Sequence, residues 1–325
     1  MRSFRHLRIP LAALVAAFAC AQALPATTSS FTNTTANNGN SITAKADWTA
    51  PTVSAVVTQR TDGGTTNKLK PGGTFYVYAD ITDTGNPSSG LGTMTASVTN
   101  IATTSSATMT SGSWTINGVT YDARSSQLTA KSLSTGSYSY SVSVSDGAGN
   151  GPGTKSGTAT VDTTAFNVSS VTTTNVATAG KPLATDKLIF TFNKAPEPST
   201  LYDDWTGAST TVKVQLSDGA NYGWSGTNQD VIGITDANGD VTPMGYVVTG
   251  GNYIQSNRTV MFNNSTMVLS GSTVTVTLGT PDNSSYISTD SGSRTMQWTA
   301  MTGPTDTFGN TLSTTNVNST SKVQF

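Results

Sequence analysis

Apolar and polar residues alternate along much of this chain, and each alternating run predicts a strand with one buried face. Phe75, Val77, Ala79 and Ile81 alternate with Tyr76, Tyr78, Asp80 and Thr82; Met94, Ala96 and Val98 repeat the pattern, and Tyr138, Tyr140, Val142 and Val144 alternate with serines. Further on, Leu188, Phe190 and Phe192 share one face of KLIFTF, and TVTVTL, ending at Leu278, alternates without a fault. Shorter runs predict strands at Val53–Val57, Val212–Leu216, Val231–Ile234 and Val260–Phe262. Asn117-Gly118, between Trp114 and Ile116 on one side and Val119 and Tyr121 on the other, is the signature of a two-residue hairpin turn.

The runs fall into two sets. TAPTVSAV (Thr49–Val56) is echoed by TAFNVSSV (Thr164–Val171), and DGAGN (Asp146–Asn150) by DTFGN (Asp306–Asn310). Two copies of one unit therefore occupy 49–163 and 164–325. Seven or so short strands in the first copy predict a β-sandwich. In each corner the aspartate (Asp146, Asp306) accepts from nearby backbone N–H groups. Gly147 and Gly149 are expected to take the positive φ angles of a tight return, with Gly309 at the matching place of DTFGN, so a structural corner explains both motifs without a further function.

Composition supports all-β structure. Thr and Ser approach a third of the chain, only 11% of residues are charged, and 31 glycines supply turns. The order PTVS, SGLG, SYSYSVSVSDGAGN, TATVDTTA resembles bacterial immunoglobulin-like domains of surface and secreted proteins, in which a D-x-A-G-N corner and a VDTTAP joint recur. The resemblance covers Asp47 to Ala165. Phe166 stands where that joint has proline, whereas the first copy has Pro51, so a less stiff linker is expected. IFTFNKAPEPSTL, DDWTG, VTVTLGT, MQWT, DTFGN and a last strand ending in Phe325 resemble an immunoglobulin-like module of exported actinobacterial proteins. The resemblance implies two tandem immunoglobulin-like sandwiches and no agreed activity. A terminal Phe also invites an outer-membrane barrel reading, but the long amphipathic strands and aromatic girdles of a barrel are missing from the pattern.

Arg2, Arg5, His6 and Arg8, then an apolar run from Leu11 to Ala19 and an A-x-A site at Ala21–Ala23, predict a signal peptide over 1–23. That run is too short to span a bilayer, so no transmembrane segment is expected in the mature chain, which is read as secreted. Cys20, the only cysteine, lies inside this peptide; a lipidated Cys20 is the rival reading, but Ala17 and Phe18 fit a lipobox poorly. Residues 24–48 form a polar leader rich in Thr, Asn and Ser, expected to be flexible. It resembles the start of the same exported proteins and of matrix-fibre subunits, and Phe31 and Ile42 offer docking points for strand addition to a neighbour.

Loss of the signal peptide removes the only histidine and the only cysteine and leaves 14 basic against 18 acidic residues, a net charge of −4. Imidazole catalysis, thiol nucleophiles, disulfides and zinc-thiolate sites are thereby excluded, and without a basic patch nucleic acid is not an expected partner. Glu197 is the only glutamate, so paired-carboxylate glycosidase chemistry has little to draw on. The chain is read as non-enzymatic and without a cofactor. Calcium is the one metal whose ligand chemistry the loops offer, at Asp80, Asp83 and Asn86 and at Asp236, Asn238 and Asp240; turn chemistry explains both stretches as well. Trp205, Tyr222 and Trp224 make the candidate ligand surface of the second unit, with Trp114 or Trp298 as the buried tryptophan of a sandwich. The expected role is structural or adhesive, toward a surface or matrix protein or glycan, or through self-association. The rivals are a carbohydrate-binding accessory protein and a fibre subunit assembling through its leader.

Overall fold

A computed structural model describes residues 47–219, 229–236 and 238–325. The signal-peptide stretch, the leader up to residue 46, Tyr222 and Trp224 lie outside them. The fold is all-β: two β-sandwich domains in tandem, each with its own hydrophobic core. None of the helices among the described residues is long and apolar enough to cross a membrane.

The first domain runs through β1 (Thr52–Arg60), β2 (Lys68–Leu69), β3 (Thr74–Thr82), β4 (Leu91–Ser97) and β5 (Ser106–Ile116). It continues through β6 (Val119–Ser125), β7 (Leu128–Thr129), β8 (Gly136–Asp146) and β9 (Gly153–Val161). Neighbours are ordered β1-β3-β6-β5-β4-β8-β9-β2, with β7 beside β3. β5 pairs with β4 through Ser106–Thr108 and with β6 from Met109 onward, so one long strand passes from one layer to the other. The alternating positions point as expected: Phe75, Val77, Ala79 and Ile81 face Ala96, Val98, Val142 and Val144 in one core. The Asn117-Gly118 turn closes the β5–β6 hairpin, with φ of 48° and 81° at its two residues, the mirror-image turn that matches strand twist.

The second domain comprises β10 (Val168–Thr174), β11 (Lys187–Phe192), the short helix α1 (Pro198–Leu201), β12 (Thr210–Asp218), β13 (Asp230–Thr235) and β14 (Val241–Val248). β15 (Thr259–Ser270), β16 (Thr273–Thr277), β17 (Thr280–Pro281), β18 (Gln297–Thr299) and β19 (Val317–Asn318) complete it. Their order is β10-β11-β16-β15-β12-β13-β14-β18-β19, with β17 beside β15, and β10 packs near β18 and β19 so that the sheet folds back on itself. Trp298 is fully buried at the centre of this core, edge-on to Phe190 and Phe192 at centroid distances of 4.8 and 5.2 Å. Its indole N–H donates to the Met244 carbonyl at 2.7 Å, which satisfies the one polar atom that burial would otherwise orphan. Phe325 is buried in the same core against Tyr253.

The strand pairing makes the internal duplication residue-specific. Val53 pairs with Ile81 in the first domain and Val168 pairs with Phe192 in the second, each followed by the same bulge. Asp47 and Asp162 are thus equivalent, and so are Asp83 and Lys194.

Candidate functional site

Each domain is closed by its D-x-x-G-N corner, and the two corners use the same bonds. In the first, Asp146 accepts from the backbone N–H of Asn150 at 2.6 Å and from its side-chain amide at 2.6 Å. The same amide donates onward to the Asp47 carbonyl at 2.9 Å and so ties the end of the domain to its beginning. In the second, Asp306 accepts from the backbone and side-chain nitrogens of Asn310, both at 2.9 Å, and the amide reaches the Asp162 carbonyl at 2.8 Å. Gly149 and Gly309 have φ of 80° and 85°, as the turn requires, whereas Gly147, expected to be left-handed as well, is not: Gly149 alone makes the return in the first corner. The corner motifs are molecular clasps.

The clasps differ in charge. Among the described residues, Asp47, Asp83 and Asp146 form the one group of three ligand-type side chains whose oxygens all lie within 4.8 Å of one another. The second clasp has Lys194 at the place of Asp83. Its ammonium lies 2.6 Å from Asp306, 3.4 Å from Asp162 and 2.6 Å from the Thr164 carbonyl. Backbone N–H groups of Thr49 and then Ser89 hold the Asp47 carboxyl below its ordinary range. Burial pushes Asp146 upward, but the donors on Asn150 outweigh it and the carboxyl also titrates low. Hard carboxylate oxygens of this kind are calcium ligands, and this trio is where the fold gathers them.

The calcium stretches read from sequence are arranged differently. Asp80 accepts from the Ser54 hydroxyl, away from Asp83, which joins Asp47 and Asp146 instead. Asn86 precedes Pro87 in a cis peptide. Asp236 accepts from the backbone N–H groups of Asn238, Gly239 and Asp240 at 2.8–2.9 Å, so its carboxylate is occupied by the turn it caps, and these N–H groups pull its pKa down. A 300 Å³ hollow beside Asp203, Asp236 and Asp240 remains open.

Trp205, expected on the ligand surface, is only 5% exposed: its ring joins the second core and its N–H donates to the Ala208 carbonyl at 2.6 Å. Of the two tryptophans expected inside a sandwich, Trp298 is the one that is buried. Trp114 instead lies half-buried outside the first core beside Tyr78, with the Arg124 guanidinium over its ring at 4.9 Å and over Tyr76 at 4.6 Å.

No protein-family model matches the chain, and no curated protein resembles it to a significant degree.

The second clasp also forms the junction with the first domain. Arg60, 5% exposed at the end of β1, donates to the Thr307 carbonyl at 2.7 Å. Lys68 lies over the Phe308 ring, 4.4 Å from its centre. Glu197, 8% exposed, accepts from both the backbone N–H and the hydroxyl of Thr65, at 3.0 and 3.1 Å. Gly64 has φ of +85°, which side-chain-bearing residues rarely adopt, and a Cβ there would lie 2.7 Å from Arg60 and 2.8 Å from Glu197, so a larger residue strains the backbone and displaces both side chains. Beside a linker expected to be less stiff without proline, the domains are also joined by side chains far from it in sequence. Sequence reasoning passed over Arg60 and Lys68 because nothing local marks them, and weighed Glu197 only as a catalytic carboxylate. The lone glutamate in a chain poor in charge was the available signal.

Replacing Asp83 by Lys should transplant the second clasp's internal cation into the first. The unfolding midpoint of the Asp83→Lys variant in EDTA is expected to rise by a few degrees, because an ammonium relieves the repulsion of the remaining carboxylates. Calorimetry in EDTA and in millimolar calcium checks this. An unchanged or lower midpoint in EDTA counts against the equivalence of the two clasps, and a calcium response in the parent that the variant lacks places the ion at the trio.

Proposed function

We propose that the chain is an exported, non-enzymatic surface or matrix protein in which two immunoglobulin-like sandwiches serve as a rigid structural or adhesive spacer. The observation that carries this reading is the junction. A buried glutamate, a buried arginine and the second clasp lock the domains in one arrangement, whereas a freely jointed pair would leave such groups in water. Secretion rests on the order of basic, apolar and small-residue segments at the N-terminus. The absence of histidine and cysteine after its removal supports a role without catalysis.

Small-angle scattering on the mature protein tests the spacer. Its maximum dimension and distance distribution are expected to match a single fixed arrangement of the two domains. In Glu197→Ala, which removes the carboxylate oxygen that accepts from both Thr65 donors, or Gly64→Val, which forces a side chain into the junction, the distribution should broaden while both cores stay folded. A broad distribution in the parent protein would defeat the reading, as would a variant that scatters identically to it.

A further inference from the structure

The tip of the β5–β6 hairpin carries chemistry that the junction and the clasps do not use. Asparagine is a chemically labile residue, and it is most exposed to attack when glycine follows, because no Cβ screens the next backbone nitrogen. Among the described residues such pairs stand at Asn117-Gly118, Asn150-Gly151 and Asn238-Gly239.

The fold treats the three differently. At Asn238 the Gly239 N–H donates to the Asp236 carboxylate at 2.8 Å, so the attacking nitrogen is committed. At Asn150 the side-chain amide is committed twice, to the Asp47 carbonyl at 2.9 Å and to Asp146 at 2.6 Å, which holds the group that would have to leave. A Cβ on Gly151 would also stand 2.9 Å from the Val144 carbonyl, so the chain has little room to turn there. At Asn117 both residues of the pair are exposed, and no described residue accepts from the Gly118 N–H. Nothing lies within 4 Å of where a Cβ on Gly118 would be. The one bond of the Asn117 side chain runs from its amide to the Gly64 carbonyl at 3.2 Å, an exposed contact at the long end of the range that restrains the amide weakly.

We propose that Asn117 is a self-modifying site, at which the chain converts an amide to an acid with water as the only co-reactant. The Gly118 nitrogen gives its proton to solvent base and bonds to Cγ of Asn117; the bond from Cγ to Nδ2 breaks, and Nδ2 takes up a proton and leaves as ammonia. Water then adds to either carbonyl of the five-membered imide and opens it to aspartate or isoaspartate, with no change of oxidation state. The product takes a donor away from the Gly64 carbonyl and sets a carboxylate in its place. Isoaspartate also lengthens the main chain of the turn by one carbon, which a two-residue mirror-image turn does not accommodate. The hairpin tip is thereby released from the Gly64 loop, which keeps only the Gln59 amide, at 3.0 Å, on the same carbonyl. This inference goes beyond the spacer reading and does not rest on it.

The test is ageing of the mature protein at neutral and mildly alkaline pH, followed by peptide mass mapping, with a short peptide of the sequence around Asn117 aged alongside. The protein's Asn117 peptide is expected to exchange amide for acid tenfold or more faster than those carrying Asn150 and Asn238, to accelerate as the pH rises, and to pass through a species lighter by one ammonia. Asn117→Gln, which cannot close the five-membered ring, should keep its mass. Hydrogen exchange reads the consequence: amides around Gly64 and at the hairpin tip are expected to exchange faster in the aged parent and in fresh Asn117→Asp than in the fresh parent, and aged Asn117→Gln should match its fresh form. Conversion of Asn150 or Asn238 as fast as Asn117 overturns the site, as does an Asn117 that stays intact while the short peptide converts. Unchanged exchange in the converted protein overturns the release. The scattering measurement above uses fresh protein and is independent of these readouts.

Discussion

Replacing Lys194 by Met is expected to destabilise the second domain by about 3 kcal/mol, the usual cost of removing one partner from a buried ion pair. Lys194 is 15% exposed and the Asp306 side chain is completely buried, so the variant strands a carboxylate that water cannot reach. Methionine fills the same volume, which keeps the loss electrostatic rather than steric. The bonds from Asn310 and the Phe308 backbone remain and limit the damage. Denaturant unfolding followed by tryptophan fluorescence reports the second domain through Trp205 and Trp298. A second change, Asp306→Asn in the Lys194→Met background, should recover part of the loss, because the stranded charge is gone. A loss below 1 kcal/mol, or no recovery in the double variant, would show that Lys194 is an ornament of the clasp.

A second large effect is expected at Asp230, on β13. Its side chain is buried, it accepts from the Ile254 N–H at 2.8 Å and from the Tyr253 N–H, and its pKa is pushed up to about 7. Burial is the main cause. The two N–H donors oppose it, while Asp218 and Asp290 add to it. The folded-state value lies above the ordinary carboxyl value of about 4. Stability from this group is therefore complete below pH 4, falls as the unfolded chain ionises and the folded one does not, and reaches its minimum above pH 7. Asp230→Asn keeps an oxygen for both N–H groups and cannot ionise. At pH 8 it should exceed the parent in stability by about 2–4 kcal/mol, and at pH 4 the two should agree within about 1 kcal/mol. The difference between parent and variant is the quantity to follow, since carboxyls that titrate low, such as Asp47 and Asp146, lose stability at the acid end instead. A difference that does not change with pH would rule out a buried neutral acid.

Strands with strict alternation were readable from the chain because the period of two is imposed by the pleat itself. The run from Phe75 to Ile81, the TVTVT strand and the Asn117-Gly118 turn all occur where the pattern places them. β14 was not readable: Pro243 and Gly245 interrupt its pattern, and it survives because β13 and β18 pair with it on either side. Trp205 shows the limit at the level of sites. In sequence it sits in a polar stretch, DDWTG, that suggests exposure; in the fold it follows α1 and turns its ring inward. The clasps were legible as corners from Asp146, Gly149 and Asn150, but their charge difference was not, because the equivalence of Asp83 and Lys194 exists only through the register of β1 with β3 and β10 with β11. Asp47 likewise joins Asp146 across 99 positions, a distance no local motif can express.

The first clasp and the contact made by Phe325 also bear on how tension would act on the strands they hold. In the first domain the chain enters where Asn150 holds Asp47 and leaves β9 beside β2, at the end facing the junction. In the second it enters at β10, and Phe325 ends at Thr173, the far end of that same strand, with its N–H on the Thr173 hydroxyl. A pull applied between Val168 and Phe325 therefore acts along β10, and the ladder bonds that join β10 to β11 would be loaded together.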